Sequence, residues 1–542
     1  MNHVIRSLVI GSSTLALAAC GGAEIASPGS SGGVTINVPP APAPAPTPTP
    51  TAPPLITPAG ACPTIADPQG LTDSGTISGP TGTYRVCTLP SRITVSTTLP
   101  KITGLLYRLN GRVDVGCDGG FAAPTAAAPY TSTTVGCTTP LTADTNITLT
   151  FAPGTITYAG TGQSWLAVNR GNRINANGSA TQPIIFTSAD NVAGFNSDSS
   201  IGQWGGVVLL GRARTTDCRF GTVAAGTCER DTEGAVDRAL YGGADDAYNA
   251  GTMRYVQIRY SGFVLSANSE LQALTTSGIG SGTTLEYFQS HNSSDDGAEF
   301  FGGNFNFKYY IATGADDDSL DVDTGARVNM QYVLLAQRPG QGDALFEIDS
   351  NGNEGDTPRT NLKVVNFVAV QTQTSSNNEA NDRASALFRG NADVTLYNGV
   401  LVSPNNECIR MTANTSAANR ATLTARSVAL QCAATKYIGD GSGAGSAPFT
   451  AAEVGGFITG NASNNDAFTP TLTGLFLNGA NENGFATTDP TALSSFFTAT
   501  PTPYRIGVAW AENNSWYTGW TCNSGTASFG ATSSACTSLP TT

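Results

Sequence analysis

Two stretches, LEYFQSHNSSDDG (residues 285–297) and FKYYIATGADDDS (residues 307–319), decide how this chain folds. Laid over one another they place Leu285 on Phe307, Phe288 on Tyr310 and Asp296 on Asp318, an offset of 22 residues. Weaker copies start at Met253 (MRYVQIRYSG), Asn329 (NMQYVLLAQ), Asn361 (NLKVVNFVAV), Val394 (VTLYNGVLV) and Ala421 (ATLTARSVAL). Each copy is a short run of β-branched, aromatic and aliphatic residues closed by Gly, Asn, Asp or Ser, the pattern of strand and turn. A period near 22 with two or three strands and no helix per unit fits one coil of a parallel β-helix, a solenoid whose inward aliphatics form a continuous core. A propeller blade needs about 40–50 residues. A sandwich gives no reason for like residues to recur at one point of successive units.

The upstream half reads the same way. ITLTFAPGTITYAG (147–160), WLAVNRGNRINANGS (165–179) and PIIFTSAD (183–190) are short strand pairs broken at Gly or Asn, and GQWGGVVLLGRA (202–213) holds an apolar run expected to be a buried strand. Taken in order, the PGT, RG-x-x-I-x-A-x-G, PIIFTS, QWGG, RYVQIRYSGF, DDGAEFFGG and DDDSLDVD elements of residues 147–352 resemble a family of bacterial extracytoplasmic proteins, often lipoproteins. The resemblance implies an all-β, right-handed parallel β-helix. It also implies a TonB-dependent receptor of the outer membrane as partner, because genes of that family commonly accompany such receptors.

Arg6, the apolar run Leu8 to Ala19 and the sequence Leu17-Ala18-Ala19-Cys20 resemble the signal segment and lipobox of a bacterial lipoprotein. That resemblance implies removal of residues 1–19 and a lipid on Cys20, and Gly21 in place of aspartate implies the outer membrane. Residues 20–59 follow as a disordered tether, Ser/Gly-rich and then alternating in proline, which favours an extended chain. The expected order beyond it is an N-terminal cap with first strands (60–146), the β-helix (147–440) and a C-terminal cap (441–542) containing WAENNSWYTGWTCNSG, with Trp510, Trp516 and Trp520. Caps matter because an open solenoid end exposes strand edges.

Ten cysteines besides Cys20 fall as sequence neighbours: Cys62/Cys87, Cys117/Cys137, Cys218/Cys228, Cys408/Cys432 and Cys522/Cys536. Five local disulfides are the economical reading for an exported chain, although spacing alone does not fix connectivity. With only His3 and His291 and no C-x-x-C pair, a zinc or haem site is disfavoured. A net charge of −13 argues against nucleic acid.

Between residues 295 and 323 the chain carries Asp295, Asp296, Glu299, Asp316, Asp317, Asp318, Asp321 and Asp323 against one basic residue, Lys308. Successive coils stack their strands ~4.8 Å apart, so aligned acidic turns set carboxylates against one another, where they repel unless a cation intervenes. Calcium is the expected ion, since it accepts about six to eight oxygens in irregular geometry; Asn292, Ser294, Glu347 and Asp349 are further oxygen donors within reach. The alternative is a pair of solvated turns in which Asp and Asn satisfy backbone donors.

Three functions stay open. One is non-catalytic binding of a ligand or partner, with Tyr309, Lys308 and Arg338 as candidate contacts to an acidic glycan. Trp165, Trp204, Phe300, Phe301 and Tyr310 are alternative members of a sugar platform, although core ladders claim such residues too, and Tyr309 is the one expected to be exposed. A second is calcium-dependent polysaccharide lyase activity, which needs a base such as Lys308, Arg327, Arg338 or Arg359 converging on the acids. The third is a structural or adhesive surface protein.

Overall fold

The computed structural model describes residues 55–541 apart from 234–236, 267–268, 351–353, 376–383 and 444. The signal segment, Cys20 and the tether as far as residue 54 lie outside the described residues. Two long sheets carry nearly all the strands. In one, the strands Gly251–Arg259, Thr284–His291, Asn304–Thr313, Arg327–Ala336, Asn361–Val370, Asp393–Ser403 and Thr422–Cys432 pair in parallel and in sequence order. The other stacks shorter strands the same way, among them Leu274–Ser277, Ala298–Phe301, Asp321–Asp323, Phe346–Ile348 and Ala386–Arg389. The chain thus winds as a right-handed parallel β-helix. Leu285 lies beside Phe307 and Phe288 beside Tyr310, the register set by the 22-residue offset.

Each long strand bends once. Tyr255, Tyr287, Tyr309, Tyr332, Asn366, Asn398 and Ser427 all have φ between 52° and 64°, and none of them pairs in the ladders that flank it. A left-handed residue at one point of every coil turns the long strand through a corner and gives the coil three sides. For a residue with a Cβ this costs about 1–2 kcal/mol, so the neighbours must favour it. The four tyrosines stack on one another with centroids 4.3, 4.3 and 5.1 Å apart, and asparagine tolerates the conformation.

Inside the coils Leu285, Phe288, Phe300, Phe305, Phe307, Tyr310, Val322 and Met330 are buried in one continuous core. Trp204 is fully buried and donates its indole N–H to the Arg259 carbonyl at 2.8 Å. The disulfides join Cys62 to Cys87, Cys117 to Cys137, Cys218 to Cys228, Cys408 to Cys432 and Cys522 to Cys536, the five local pairs of the economical reading.

Parallel coiling begins well before residue 147, because Gly82–Thr88 already pairs in parallel with Leu105–Leu109, and the antiparallel strand Thr72–Gly79 closes that end. Cys87, in the segment expected to hold the N-terminal cap and first strands, sits on the parallel strand Gly82–Thr88, beside Tyr107 of the next coil. Its side chain is fully buried in the same core as Leu105 and Leu109. The strand alternation of residues 82–88 turns that position inward, so Cys87 is a core residue of an early coil as well as half of a disulfide, and Cys408 is buried in the same way near the other end. At that end only the helix Ala451–Thr459 serves as the expected cap. It is started by a Thr450/Glu453 capping box and presses Val454 and Ile458, with Phe449, onto the last coils.

Beyond the helix the chain returns along the flank of the long-strand sheet as a strap, against the direction of coiling. Asn398 donates to the Thr488 carbonyl (2.8 Å), Asn366 to Arg505 (2.9 Å), Gln289 to Cys522 (3.1 Å) and Arg259 to Cys536 and Ser538 (2.8 and 2.9 Å). Trp510 and Trp520 are buried beneath it. Among the described residues no helix is long and apolar enough to cross a membrane.

Candidate metal centre

The short-strand sheet turns its outer face into an acidic cleft. Glu299, Asp321 and Glu347 are consecutive partners in the ladder, so three carboxyl groups rise from one column at strand spacing. Asp323 follows beside them. The turns before these strands stack as well: the Asp318 amide donates to Asp296 Oδ1 at 2.9 Å, and the Ala344 amide to Asp318 Oδ1 at 2.6 Å. Asp295 accepts from the Gln272 amide at 3.1 Å.

Glu233 and Glu270 reach the cleft from two insertions that are not part of any coil, and Asp343 and Asp349 complete its wall. The cleft measures about 310 Å³ and, among the described residues, is lined by twelve carboxyl groups, the Gln272 amide and one guanidinium, that of Arg389. Arg389 bonds Asp349 at 2.8 Å and pairs with Glu347.

Seven of the eight acids singled out in the sequence meet here. Asp316 does not: its amide is fixed to the Ser293 carbonyl and its carboxylate pairs with Arg338 at 2.7 Å, outside the cleft. Lys308 lies on the long-strand sheet with its ammonium 5.1 Å from the centre of the Phe496 ring. Tyr309 is half-buried in the tyrosine stack, with Trp516 of the strap 5.2 Å away. Trp165, Trp204, Phe300, Phe301 and Tyr310 are all buried.

None of the expected bases lines the cleft, since Arg327 pairs with Asp246 and Arg359 with Asp393. Arg389, the cation that does, went unrecognised because the insertion before residue 386 hides its place in the repeat. Glu233 and Glu270 have no repeat signal at all.

Crowding carboxyl groups in a half-dry recess raises the pKa values of many of them. Burial is the larger cause and repulsion between neighbouring carboxylates the second for Asp295, Asp296, Glu299, Asp318 and Asp321, whose pKa values all lie well above the usual range. Asp317 is raised to about 6 and Asp323 to about 8 for the same two reasons. Burial raises Glu347 to about 7 against the pull of Arg389.

A carboxyl group whose folded pKa is raised adds stability below its unfolded pKa and loses it as pH climbs through the folded value. The metal-free protein is therefore expected to lose thermal stability between about pH 5 and 8, a window set by Asp317, Glu347 and Asp323. Calorimetric scans in chelator across that range check this, and a Tm that rises through it would contradict the repulsion.

Four groups of three carboxylates bring one oxygen each within 4.8 Å of the others: Asp295/Asp296/Asp317, Asp296/Glu299/Asp321, Asp317/Asp318/Asp343 and Asp318/Asp321/Glu347. The first and last share no residue, so two cations placed there would not compete for a ligand. A cation relieves both causes of the raised pKa values by supplying the missing opposite charge.

A parallel solenoid with an acidic cleft on its short-strand face, whose carboxylates could hold a cation, is the class of protein this geometry defines. Residues 130–473 match the family model of the pectate-lyase-like β-helix domain, and the chain belongs to that family. No curated protein and no solved structure matches it.

Proposed function

We propose that the protein is a non-catalytic, calcium-loaded binding protein, anchored at the outer membrane through a lipid on Cys20, whose cleft presents calcium to an acidic glycan. The observation that carries this reading is the cleft itself, with twelve carboxyl groups around one already paired cation. Oxygen donors in irregular array suit calcium better than zinc, which favours nitrogen and sulfur in a tetrahedron, or magnesium, which demands a near-ideal octahedron. Ions held on one side by the coil carboxylates keep positions open for the carboxylates of a uronate chain. The proline-rich tether and the resemblance of the sequence support a place beside a TonB-dependent receptor.

Arg389 favours a second reading, a calcium-dependent lyase, since it adjoins the cation groups as a proton-abstracting base would. Against that reading, Glu347 and Asp349 clamp it, and a guanidinium between carboxylates keeps its proton.

Calcium titration by calorimetry, followed by incubation with polygalacturonate while ultraviolet absorbance reports unsaturated product, separates the readings. Calcium uptake and calcium-dependent retention of polymer without product are expected, and a TonB-dependent receptor should accompany the gently solubilised lipoprotein. Product that disappears in Arg389→Ala would make the protein a lyase. Absence of calcium uptake would overturn both readings.

A further inference from the structure

A second groove lies on another side of the coil and shares no lining residue with the acidic cleft. Its floor is the outer face of the long strands before their bend. Asn304, Arg327, Asn361 and Asp393 form one column through four successive strands, and Asn306, Asn329 and Lys363 form the column beside it. Every one of these side chains is partly exposed. Within the second column the Asn329 amide donates to Asn306 Oδ1 at 2.8 Å.

One wall is the segment 214–217, which runs along the solenoid axis across three turns. The Gly303 amide donates to the Arg214 carbonyl (2.8 Å), the Thr216 amide to Thr324 (2.8 Å) and the Asp217 amide to Asp356 (3.3 Å). The Cys218–Cys228 disulfide ties the loop that continues from it. Beyond Lys363 lies Leu493 of the strap, whose carbonyl accepts from the lysine ammonium at 3.4 Å. The groove has two lobes, of about 860 and 460 Å³, which share Arg327, Thr357 and Pro358.

Three features specify the occupant. The floor repeats its polar groups once per coil, ~4.8 Å apart, close to the length of one pyranose ring in an extended polymer. Apart from the Lys363 ammonium, the groups are amides, guanidinium and carboxylate, the planar donors and acceptors that bond vicinal hydroxyls in pairs. Each guanidinium of the groove already rests on a carboxylate, Arg214 and Arg327 sharing Asp246 and Arg359 on Asp393, so an anion would compete with these pairs whereas a hydroxyl can add to them.

We propose that this groove binds an extended, neutral polysaccharide along the solenoid axis, one sugar ring per coil, without calcium. The site is independent of the acidic cleft and of the function assigned to it.

The test is isothermal titration of the solubilised full-length protein in excess chelator with cellohexaose and mannohexaose, and with the corresponding disaccharides. At least one hexasaccharide is expected to bind, at least tenfold more tightly than its disaccharide. Asn361→Ala and Lys363→Ala should each weaken binding at least threefold with an unchanged Tm. Asn329→Ala, which also removes the bond to Asn306, should do the same, and Asn361→Ala, which breaks neither that bond nor an ion pair, guards against a structural cause. No binding of either hexasaccharide, equal affinity for long and short sugars, a requirement for calcium, or indifference to all three substitutions would overturn the proposal.

Discussion

Replacing Asp296 and Asp321 together with asparagine is expected to abolish the stabilisation of the protein by calcium while raising, or leaving unchanged, its stability in chelator. Between them these residues belong to three of the four carboxylate groups. The side-chain amide introduced by Asp296→Asn keeps an oxygen that can accept from the Asp318 backbone N–H, as Asp296 Oδ1 does in the parent. In the metal-free parent each carboxylate is raised by burial and by its neighbours, so removing two charges removes repulsion. In calcium the same change removes ligands. Each bound ion at a hundredfold excess over its Kd contributes about 2.7 kcal/mol, so two ions contribute about 5 kcal/mol that the variant should forfeit. Calorimetric scans with calcium and with chelator give both numbers. A variant that answers calcium as the parent does would remove the cleft as the binding site, and one less stable than the parent in chelator would show that the charges do not repel.

Arg170→Ala is expected to lower stability by about 3–5 kcal/mol, the range for stranding a buried charge. The Arg170 side chain is wholly buried, with Nε 2.6 Å from Asp118, Nη1 2.6 Å from Glu229 and a further bond to the Gly242 carbonyl at 3.1 Å. Tyr130 donates to the same Asp118 at 3.1 Å. The guanidinium therefore joins the loop that carries Cys117 and Cys137 to the insertion that carries Glu229 and Gly242, and alanine leaves two carboxylates in a dry interior. Denaturant unfolding of parent and variant measures the difference. A loss below about 1 kcal/mol would place this network among ion pairs whose desolvation offsets their attraction.

Much of the solenoid was legible because its cause is local and repeated. Leu285 and Phe307 face the core one coil apart, and the same spacing that revealed them sets the strand register. The disulfides were legible because coil geometry brings sequence neighbours together. Their setting was less so: Cys87 carries a pairing signal but no repeat signal, and its place inside an early coil emerged only with the ladder from Gly82–Thr88 to Leu105–Leu109. The acidic turns at 295–296 and 316–318 were legible as a pair, but three consecutive aspartates cannot all face one way, and the backbone bond from Asp316 to Ser293 turns it outward. Insertions concealed Arg389, Glu233 and Glu270 because they break the period. The tyrosines at the coil corners gave no warning, since a β-favouring aromatic is an improbable left-handed residue. Least legible of all was the strap. Its anchors, Asn366, Asn398, Gln289 and Arg259, bond backbone carbonyls, which every residue has and no motif records.

That strap changes what kind of polymer the solenoid is. A bare stack of coils is held by nearest neighbours alone, so it frays from its ends and melts piecemeal, each coil adding its own increment. Here Asn191 and Arg259, in early coils, bond Cys536 across 345 and 277 residues of sequence. The first coils and the last residues of the chain therefore complete one another, and neither end can open without losing contacts made by the other. Loop closure over such distances slows folding. In return the array is expected to gain long-range cooperativity, unfolding as one unit rather than as a row of repeats, because residues 536–538 must be in place before Asn191 and Arg259 are fully bonded.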